Sequence, residues 1–449
     1  MSALQHAFWD EACAQALSDD RLLSAMARFE GALALSSARI GVIPVAAART
    51  IAEVAAAASF DAAALASAAR RASTLAIPFV LQLTEKVAAV SEEAARYVHF
   101  GATSQDVIDT AVVLCVVPAA GRLTALSDRL GDALAAIAAR HAQTPTVART
   151  LLQPAVPVSF GWKAAVWLSM LSRSRSNFRV AARAACVLQF GGAGGTLSAY
   201  ASKGDTIAAE LAAELGLPRA PVTWHSARDG FARLGSEAAI LAGTAGKIAR
   251  DVSLLMQSEV GEVSEPTGEG RGGSSAMPHK RNPVGCLAAL EAAYRAPGLT
   301  ATLLAQLAPE HERGIGHWQS QWFTLRDLLC AAGSGLSAMA EVMEGLKVDE
   351  RAMRANLDRS HGLVYSENVA VRLSRTLGKQ AAHALTEKLC RIAAREGREL
   401  YDVVRADSQA AAAIEAGEFS DLFNPASSFG ASAAMIERAI QDWSQARQN

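Results

Sequence analysis

The chain has 449 residues, of which 51 % are hydrophobic, so it is long enough for two or three domains with a large core. Its 43 lysines and arginines balance 44 aspartates and glutamates, for a formal net charge of −1. This balance gives no overall attraction to nucleic acid or to a membrane, so an anionic ligand would have to meet local positive charge. No apolar stretch suits a membrane span, and the acidic start does not suit a signal peptide, so a cytoplasmic protein is expected.

Helical patterns fill nearly the whole chain from the N-terminus onward. Alanine, the best helix former, is abundant throughout. Long helices are predicted over 106–141 and 160–188, and a third follows the loop "GLPRAPVTWHSARDG". A polar break, "LDRSHGLVYSEN", precedes shorter helical patterns. We therefore predict an all-α protein with an N-terminal helical domain over 1–110, a central long-helix bundle over 111–362 and a C-terminal helical domain over 363–449.

The third long helix carries the clearest pattern. Its apolar residues recur at alternating spacings of four and three, which is typical of long helices packed at shallow angles in a bundle. These residues are Leu234, Ala238, Leu241, Ala245, Ile248, Val252 and Leu255. No proline interrupts the chain between Pro221 and Pro266, so one continuous helix is expected.

One glycine-rich stretch imitates a nucleotide-binding loop. "FGGAGGTLSAY", from Phe190 to Tyr200, lacks the G-x-G-x-x-G register and follows no predicted strand, so we interpret it as a tight glycine turn between helices. The nine histidines include no pair at i and i+4, and the six cysteines include no C-x-x-C pair. We expect no structural zinc, no other metal and no cofactor, and we predict that the cysteines are free buried thiols.

Three polar clusters stand out from this helical background. In "HFGATSQDVIDT", Thr103 and Ser104 precede a helix start, which indicates either an ordinary N-cap or an anion site. In "ARTLLQPAVPVSFG", Gln153 is a lone amide, and a satisfied polar residue in a proline bend is the simple alternative. The third cluster comprises "GEGRGGSSAMPHKRNP" and the later "HERGIGHWQSQW". Taken alone, Lys280 and Arg313 in this cluster would be solvated surface charges.

Together these clusters resemble the three signature regions of the fumarase/aspartase superfamily. The string "GSSAMPHKRNP" carries the resemblance most specifically, and similarity extends along nearly the whole chain. "RFEGALALSSARIGVIP" resembles the superfamily's first domain, and "HGLVYSENVAVRL" resembles the entry to its third. The resemblance implies a mostly helical homotetramer in which three subunits build each active site. It also implies a bond cleaved or formed β to a carboxylate through a carbanion.

The resemblance gives each polar residue an implied role. Ser274 is the residue that moves the proton on carbon, within a glycine-rich loop that closes over the substrate. Arg313 is a further candidate clamp, because arginine binds carboxylates bidentately. The other matches are to substrate-binding positions: Thr103, Ser104, Gln153, Ser275, Lys280 and Asn282. Together these groups would stabilise the aci-carboxylate that forms when carbon loses its proton.

Two positions depart from the superfamily pattern. Its lyases usually have a histidine directly after the "RT" of the second region and a carboxylate shortly after the signature asparagine, but here these positions are Leu151 and Leu287. Hydroxide and amine leaving groups need that proton donor, since water has a pKa of about 15.7. A carboxylate, whose conjugate acid has a pKa of about 4, leaves as the anion. The two leucines therefore predict a reaction without protonation of a leaving group.

Within the superfamily, that chemistry is found in the 3-carboxy-cis,cis-muconate cycloisomerases, in which a substrate carboxylate adds to its own double bond to give a γ-lactone. "RYVHFGATSQDVIDT", "LQFGGAGGTLSA" and "EHERGIGHWQSQW" also resemble the bacterial cycloisomerases more than adenylosuccinate lyase. Two alternatives stay open. One is adenylosuccinate lyase or a related β-elimination lyase, which shares "SSAMPHKRNP"; the other is a non-catalytic scaffold like the superfamily's lens crystallins. Retention of Ser274, Lys280 and Asn282 argues against the scaffold.

Overall fold

The computed structural model describes residues 7–268, 271–273, 277 and 279–448. Most of these residues are helical and the strands are few and short, so the all-α prediction is confirmed. In the described part of the chain, helices α1 to α19 are Glu11–Ala16, Asp19–Arg39, Val45–Ala57, Ala62–Ala72, Ala76–Ala88, Glu92–Ala95, Ser104–Arg140, Phe160–Ala185, Gly204–Leu215, Asp229–Leu255, Val284–Ala305, His317–Glu344, Glu350–Asp358, Ser366–Leu377, Lys379–Glu396, Leu400–Ala406, Ser408–Ala413, Phe419–Leu422 and Ser432–Gln448.

The strands form two small antiparallel sheets among the described residues. β1 (Pro145–Thr150) pairs with β2 (Gln153–Ser159) in a hairpin. β3 (Val263–Ser264) pairs with β4 (Lys347–Val348). The hairpin occupies the segment that the sequence had suggested was a proline bend.

The chain divides into two compact units, and the boundaries fall inside the long helices. Unit 1 consists of Met1–Leu126, Ser174–Gly243 and Glu291–Ser337. Unit 2 consists of Ser127–Arg173, Thr244–Leu290 and Ala338–Asn449. The three domains expected from the sequence stay a prediction.

The long helices form where the apolar pattern placed them. α7 and α8 match the segments predicted over 106–141 and 160–188, and α10 contains the predicted seam. All seven seam residues are buried, and Leu241 and Ile248 are fully inaccessible within this one chain. Burying an aliphatic side chain contributes about 1.5–3 kcal/mol, so the seam is a large part of what holds α10 in place.

A buried ion pair fixes the helices of unit 1 to one another. Arg228, just before α10, donates to the carboxylate of Asp109 on α7 at 2.6 and 3.1 Å, and neither side chain is exposed. Its Nε also donates to Gln321 Oε1 on α12 at 2.7 Å. The guanidinium lies over the ring of Trp224 at 4.9 Å, which adds a cation–π contact. This arrangement lets unit 1 bury a full charge without leaving it unpaired.

The C-terminal helices of unit 2 have an apolar core of their own. Its fully buried members include Val369, Leu373, Leu400, Val404 and Ala410. The last helix, α19, is held through Trp443, whose Nε1 donates to Asp132 Oδ1 at 2.9 Å. Gly131 makes room for this contact, because a Cβ there would lie 2.1 Å from the Trp443 ring.

The cysteines are free thiols, as predicted. Five are buried and Cys390 is partly buried. Burial raises the pKa of Cys115 and of Cys186 to about 12. Such thiols carry almost no thiolate near neutrality and are chemically inert.

One helix among the described residues is long and apolar enough to cross a membrane, by length and composition only. It is α7, and 67 % of its apolar window is buried inside the protein. A bent pair, α3 and α4, meets the same criterion only when counted as a single span. A single such helix is weak evidence for a membrane span, because a mostly buried core helix meets the same criterion.

Candidate active site

The first polar cluster is organised around the carboxylate of Asp106. This side chain is fully buried near the start of α7. Its donors and close contacts, all in unit 1, are Thr103 N at 3.1 Å, Gln189 Nε2 at 3.2 Å, Gly191 N at 2.9 Å, Gly192 N at 2.9 Å and His225 Nε2 at 2.8 Å. The glycine-rich stretch is therefore a tight turn, as predicted, and its amides bind a carboxylate of the protein itself.

Arg313 lies against the first cluster. Its Nη1 donates to Thr103 Oγ1 at 3.0 Å, and its Nη2 donates to the carbonyl of Ala193 at 3.3 Å. Both acceptors are neutral, and no carboxylate among the described residues pairs with this guanidinium. Arg313 therefore keeps a full positive charge beside Thr103 and the partly buried Ser104, which suits an anionic ligand. This contact departs from the simple alternative of a solvated surface charge.

A pair formed by the partly buried His99 and the buried Glu30 anchors the loop in front of α7. His99 Nδ1 lies 2.6 Å from Glu30 Oε1, and the Glu30 side chain is fully buried. Burial lowers the pKa of His99, but the Glu30 carboxylate outweighs it, and the pKa ends above its usual value. The Tyr200 hydroxyl donates to the Phe100 carbonyl in the same loop. Sequence patterns did not predict this pair, because Glu30 lies in an ordinary stretch of helix α2.

The second polar cluster forms the β1–β2 hairpin. Gln153 is exposed at the start of β2 and faces Thr150 across the two-residue turn. That turn consists of Leu151 and Leu152, with φ of 51° and 66°, and their side chains are 97 % and 73 % exposed. Left-handed backbone at two bulky residues costs free energy, of order 1–3 kcal/mol each. The hairpin tip is therefore a strained, apolar projection beside a predicted substrate contact.

A carboxylate beneath the hairpin holds it in place. Glu262 is fully buried and accepts from Thr146 Oγ1 at 2.9 Å on β1. It also accepts two bonds from Arg149, at 2.6 and 3.2 Å, and one from Asn356 Nδ2 at 2.8 Å on α13. Four charge-assisted bonds to one carboxylate fix β1 relative to β3 and α13.

The third polar cluster is described only in part. Ser274 and Ser275 lie outside the described residues. The ends of the segment are joined, since Asn282 N donates to Gly272 O at 2.8 Å. Lys280 is exposed and Asn282 is partly buried. No hydrogen bond between described atoms joins either side chain to Gln153.

Helix α11, which follows this segment, has its N-terminal amides capped by a side chain. Glu265 caps α11 by accepting from Gly285 N and Cys286 N at 3.0 and 2.9 Å. Leu287, in the first turn of α11, is 52 % exposed. The position at which the superfamily's lyases carry a carboxylate is therefore an apolar, accessible side chain.

The described residues include no group of three or more histidine, cysteine, aspartate or glutamate side chains that could hold a metal ion. Unit 1 brings Thr103 and Arg313 into contact, with Ser104 adjoining them. The positions of Gln153, Lys280, Asn282 and the two leucines are all in unit 2. Their assignment as site residues stays a prediction.

Comparison with known families defines the class of protein. The sequence matches the lyase family over residues 3–298 and the adenylosuccinate lyase C-terminus family over residues 362–439. The chain belongs to this lyase family, within the fumarase/aspartase superfamily.

Individual relatives narrow the class. The chain is 48 % identical over 441 residues to a 3-carboxy-cis,cis-muconate cycloisomerase of Bradyrhizobium diazoefficiens, with 98 % of each chain covered. It is 42 % identical to a nitrosuccinate lyase of Streptomyces davaonensis, covering 95 % of this chain and 91 % of that one. Its structure resembles that of the 3-carboxy-cis,cis-muconate lactonizing enzyme of Pseudomonas putida, with a TM-score of 0.93, 39 % identity and 99 % of both chains covered.

Proposed function

We propose that this protein is a cycloisomerase that interconverts 3-carboxy-cis,cis-muconate and 4-carboxymuconolactone, a reaction of the protocatechuate (β-ketoadipate) branch of aromatic degradation. The observation that carries the proposal is the pair Leu151 and Leu287. They stand where the superfamily's lyases hold their acid–base pair, and both are accessible apolar side chains. The relatives with this activity cover nearly the whole chain, which supports the proposal further.

The proposed reaction does not need an acid–base pair at positions 151 and 287. In the lactonising direction, a substrate carboxylate attacks its own double bond, and the neighbouring carbon takes up a proton. In reverse, that carbon loses its proton and the carboxylate departs as the anion, so no acid is needed at the leaving group. Adenylosuccinate lyase chemistry would expel a nitrogen and would need the missing donor. A non-catalytic scaffold would have no reason to keep the polar residues of all three clusters.

The other predicted site residues would either move the proton on carbon or bind the carboxylates of the substrate. Ser274 would move the proton on carbon. Lys280, Asn282 and Arg313 would bind carboxylates, with Thr103, Ser104, Gln153 and Ser275 as further contacts. Arg313 is best supported, because its charge is held in place by neutral acceptors and no carboxylate in the described part of the chain pairs with it. Preorganised cations of this kind stabilise the doubly charged aci-carboxylate without reorganising during the reaction.

The first expected result is direct turnover. The purified protein should remove the conjugated-diene absorbance of 3-carboxy-cis,cis-muconate without added metal or nucleotide, and a chelator should not change the rate. Turnover of adenylosuccinate with none of carboxymuconate would contradict the proposal.

A second candidate function, the elimination of nitrite, is also compatible with leucine at positions 151 and 287. Nitrite, like a carboxylate, is the anion of a weak acid, so its elimination also needs no proton donor at positions 151 and 287. The 42 % identity to a nitrosuccinate lyase favours testing it. Release of nitrite from nitrosuccinate, with the diene of carboxymuconate left unchanged, would replace the first proposal by this one.

We also propose that the protein is a cytoplasmic homotetramer with active sites shared between subunits. Free cysteines suit a reducing compartment. Helices α7, α8, α10, α11 and α12 each carry exposed large apolar side chains on this single chain, which favours further association. Examples are Val117, Val180, Ile240, Tyr294 and Phe323, with 45 to 69 % of each exposed.

Mixing two inactive variants tests the shared site. If Ser274 and Gln153 of one site come from different chains, an equal mixture of Ser274→Ala and Gln153→Ala subunits should regain about one quarter of wild-type activity, since half of the subunits supply each intact residue. The matched control is Ser274→Ala with Lys280→Ala, whose changes fall in one segment and should not complement. The proposal would be contradicted if light scattering showed a monomer and that monomer were fully active.

A further inference from the structure

Glu30 on α2 is a buried carboxylate with one partner among the described residues. Its side chain has no solvent exposure, and its Oε1 lies 2.6 Å from His99 Nδ1. Its Oε2 is also buried and accepts no hydrogen bond from any described atom. A buried carboxylate is costly unless it is paired, so the imidazole of His99 has to supply the compensating charge. The contact lies inside one chain, so association with other subunits does not remove it.

His99 begins a short loop that precedes α7 and is held at both ends. The backbone of His99 is left-handed, with φ of 56°, which is uncommon for a residue with a side chain and needs contacts to hold it. Farther along, Gly101 lies so close to Tyr200 that a Cβ at this position would be 2.4 Å from the ring. The loop ends at Thr103, whose amide donates to Asp106 Oδ2 at 3.1 Å. The contact with α2 therefore fixes the start of the loop that carries Thr103.

Two carboxylates act on the charge of His99, namely Glu30 from α2 and Asp106 from α7. Burial lowers the pKa of His99, but the charge and hydrogen bond of Glu30 raise it, with a smaller contribution from Asp106, so the pKa ends above its usual value. Asp106 is also shared with His225, whose Nε2 lies 2.8 Å from it. Tyr200, whose ring packs on the same loop, stays neutral, because burial raises its pKa well above the usual value. The imidazolium form of His99 is therefore favoured by Glu30 above all.

The charge of His99 would add to a second positive charge at the same polar cluster. Arg313 Nη1 donates to Thr103 Oγ1 at 3.0 Å, and Thr103 follows His99 in the same loop. We propose that Glu30 is a positioning residue, which acts through His99 to fix this loop and to keep it positively charged for a carboxylate of the substrate. A fixed cation binds an anionic group without reorganising, so the pair should act mainly on substrate affinity. The inference rests on the function proposed above for its kinetic test.

Glu30→Gln tests the proposal, because it keeps the shape of the side chain and removes its charge. The wild type should lose kcat/KM as the pH rises through the pKa of His99, since the protonated ring is the active form. In Glu30→Gln, the burial of His99 is no longer offset by this carboxylate, so the same loss should occur at lower pH. Near neutral pH, KM for 3-carboxy-cis,cis-muconate should rise about tenfold or more, with a smaller change in kcat.

Three further variants serve as comparisons. Glu30→Asp keeps the negative charge and should keep the pH profile closer to that of the wild type. His99→Gln removes the titrating ring, so it should raise KM and abolish this pH dependence, and it decides the question if Glu30→Gln does not fold. The matched control is Glu399→Gln, which removes a carboxylate 3.0 Å from His361 in an exposed pair of unit 2 and should behave as the wild type. Circular dichroism shows whether each variant is folded.

Two kinetic outcomes would overturn the positioning proposal while the cycloisomerase proposal stands. In the first, the wild type turns over carboxymuconate and folded Glu30→Gln keeps both its KM and its pH profile. In the second, Glu30→Gln loses kcat without any shift in the pH profile, which would show a structural role only.

Binding of the tricarboxylate tricarballylate, measured by calorimetry, tests the positioning proposal without turnover. Folded Glu30→Gln and His99→Gln should bind it about tenfold more weakly than the wild type and Glu399→Gln do. If the wild type does not turn over carboxymuconate, the cycloisomerase proposal fails and this binding result decides the positioning proposal. Equal affinity in all of these proteins, or no binding by the folded wild type, would overturn it.

Discussion

Ser274→Ala should lower kcat by about 10²–10⁴-fold while leaving the fold intact, because it removes the group proposed to move the proton on carbon. KM should change less, since the carboxylates of the substrate would still meet Lys280, Asn282 and Arg313. Steady-state kinetics with 3-carboxy-cis,cis-muconate give both quantities. Circular dichroism and thermal melting establish that the variant is folded.

Two serine variants serve as comparisons. Ser275→Ala removes a predicted substrate contact in the same segment and should affect KM at least as much as kcat. Ser258→Ala removes an exposed hydroxyl elsewhere in unit 2 and should have no effect. If Ser274→Ala keeps near-normal kcat, another group moves the proton, and Lys280 or Arg313 becomes the first candidate.

The long helices could be predicted from the helical periodicity of their apolar residues. The seam of α10 repeats its apolar residues at the helical period, and every one of them is buried. The predicted segments around α7 and α8 match the structure closely for the same reason, because a long periodic pattern leaves little choice of secondary structure.

The β1–β2 hairpin shows where local patterns fail. Pro154 and Pro157 lie inside β2, and proline normally argues against a strand. A two-stranded hairpin has only edge strands, so proline is tolerated there when its position needs no backbone donor. Tight hairpin turns usually show Asn-Gly or a similar pair, but here the turn is Leu151-Leu152. Its chemistry therefore gave no turn signal.

The residues of the candidate site could be predicted from sequence motifs, but the contacts between them could not. Motif similarity named Thr103 and Arg313, whose hydrogen bond joins positions 210 residues apart in sequence. His225, which contacts Asp106, lies 119 residues from it in sequence, and His99 lies 69 residues from Glu30; neither contact follows a motif. Such contacts depend on how helices pack, which periodicity alone does not specify.

Glu262→Ala should destabilise the protein by about 3–5 kcal/mol, which is the usual cost of removing one partner of a buried charge pair. The substitution leaves Arg149 without its carboxylate and leaves Thr146 and Asn356 without an acceptor. Glu262→Gln keeps the shape and one acceptor oxygen, so its loss should be smaller. Urea unfolding at a fixed protein concentration measures the change in the free energy of unfolding.

An exposed ion pair provides the control for this experiment. Glu387 and Arg391 on α15 form such a pair, with side chains 56 % and 71 % exposed. Glu387→Ala should change the free energy of unfolding by no more than about 0.5 kcal/mol. Because Glu262 also fixes the hairpin that carries Gln153, Glu262→Ala should lose activity at temperatures where it is still folded, whereas Glu387→Ala should not. If the two alanine variants unfold alike, Glu262 does not hold the hairpin, and the position of Gln153 must depend on other contacts.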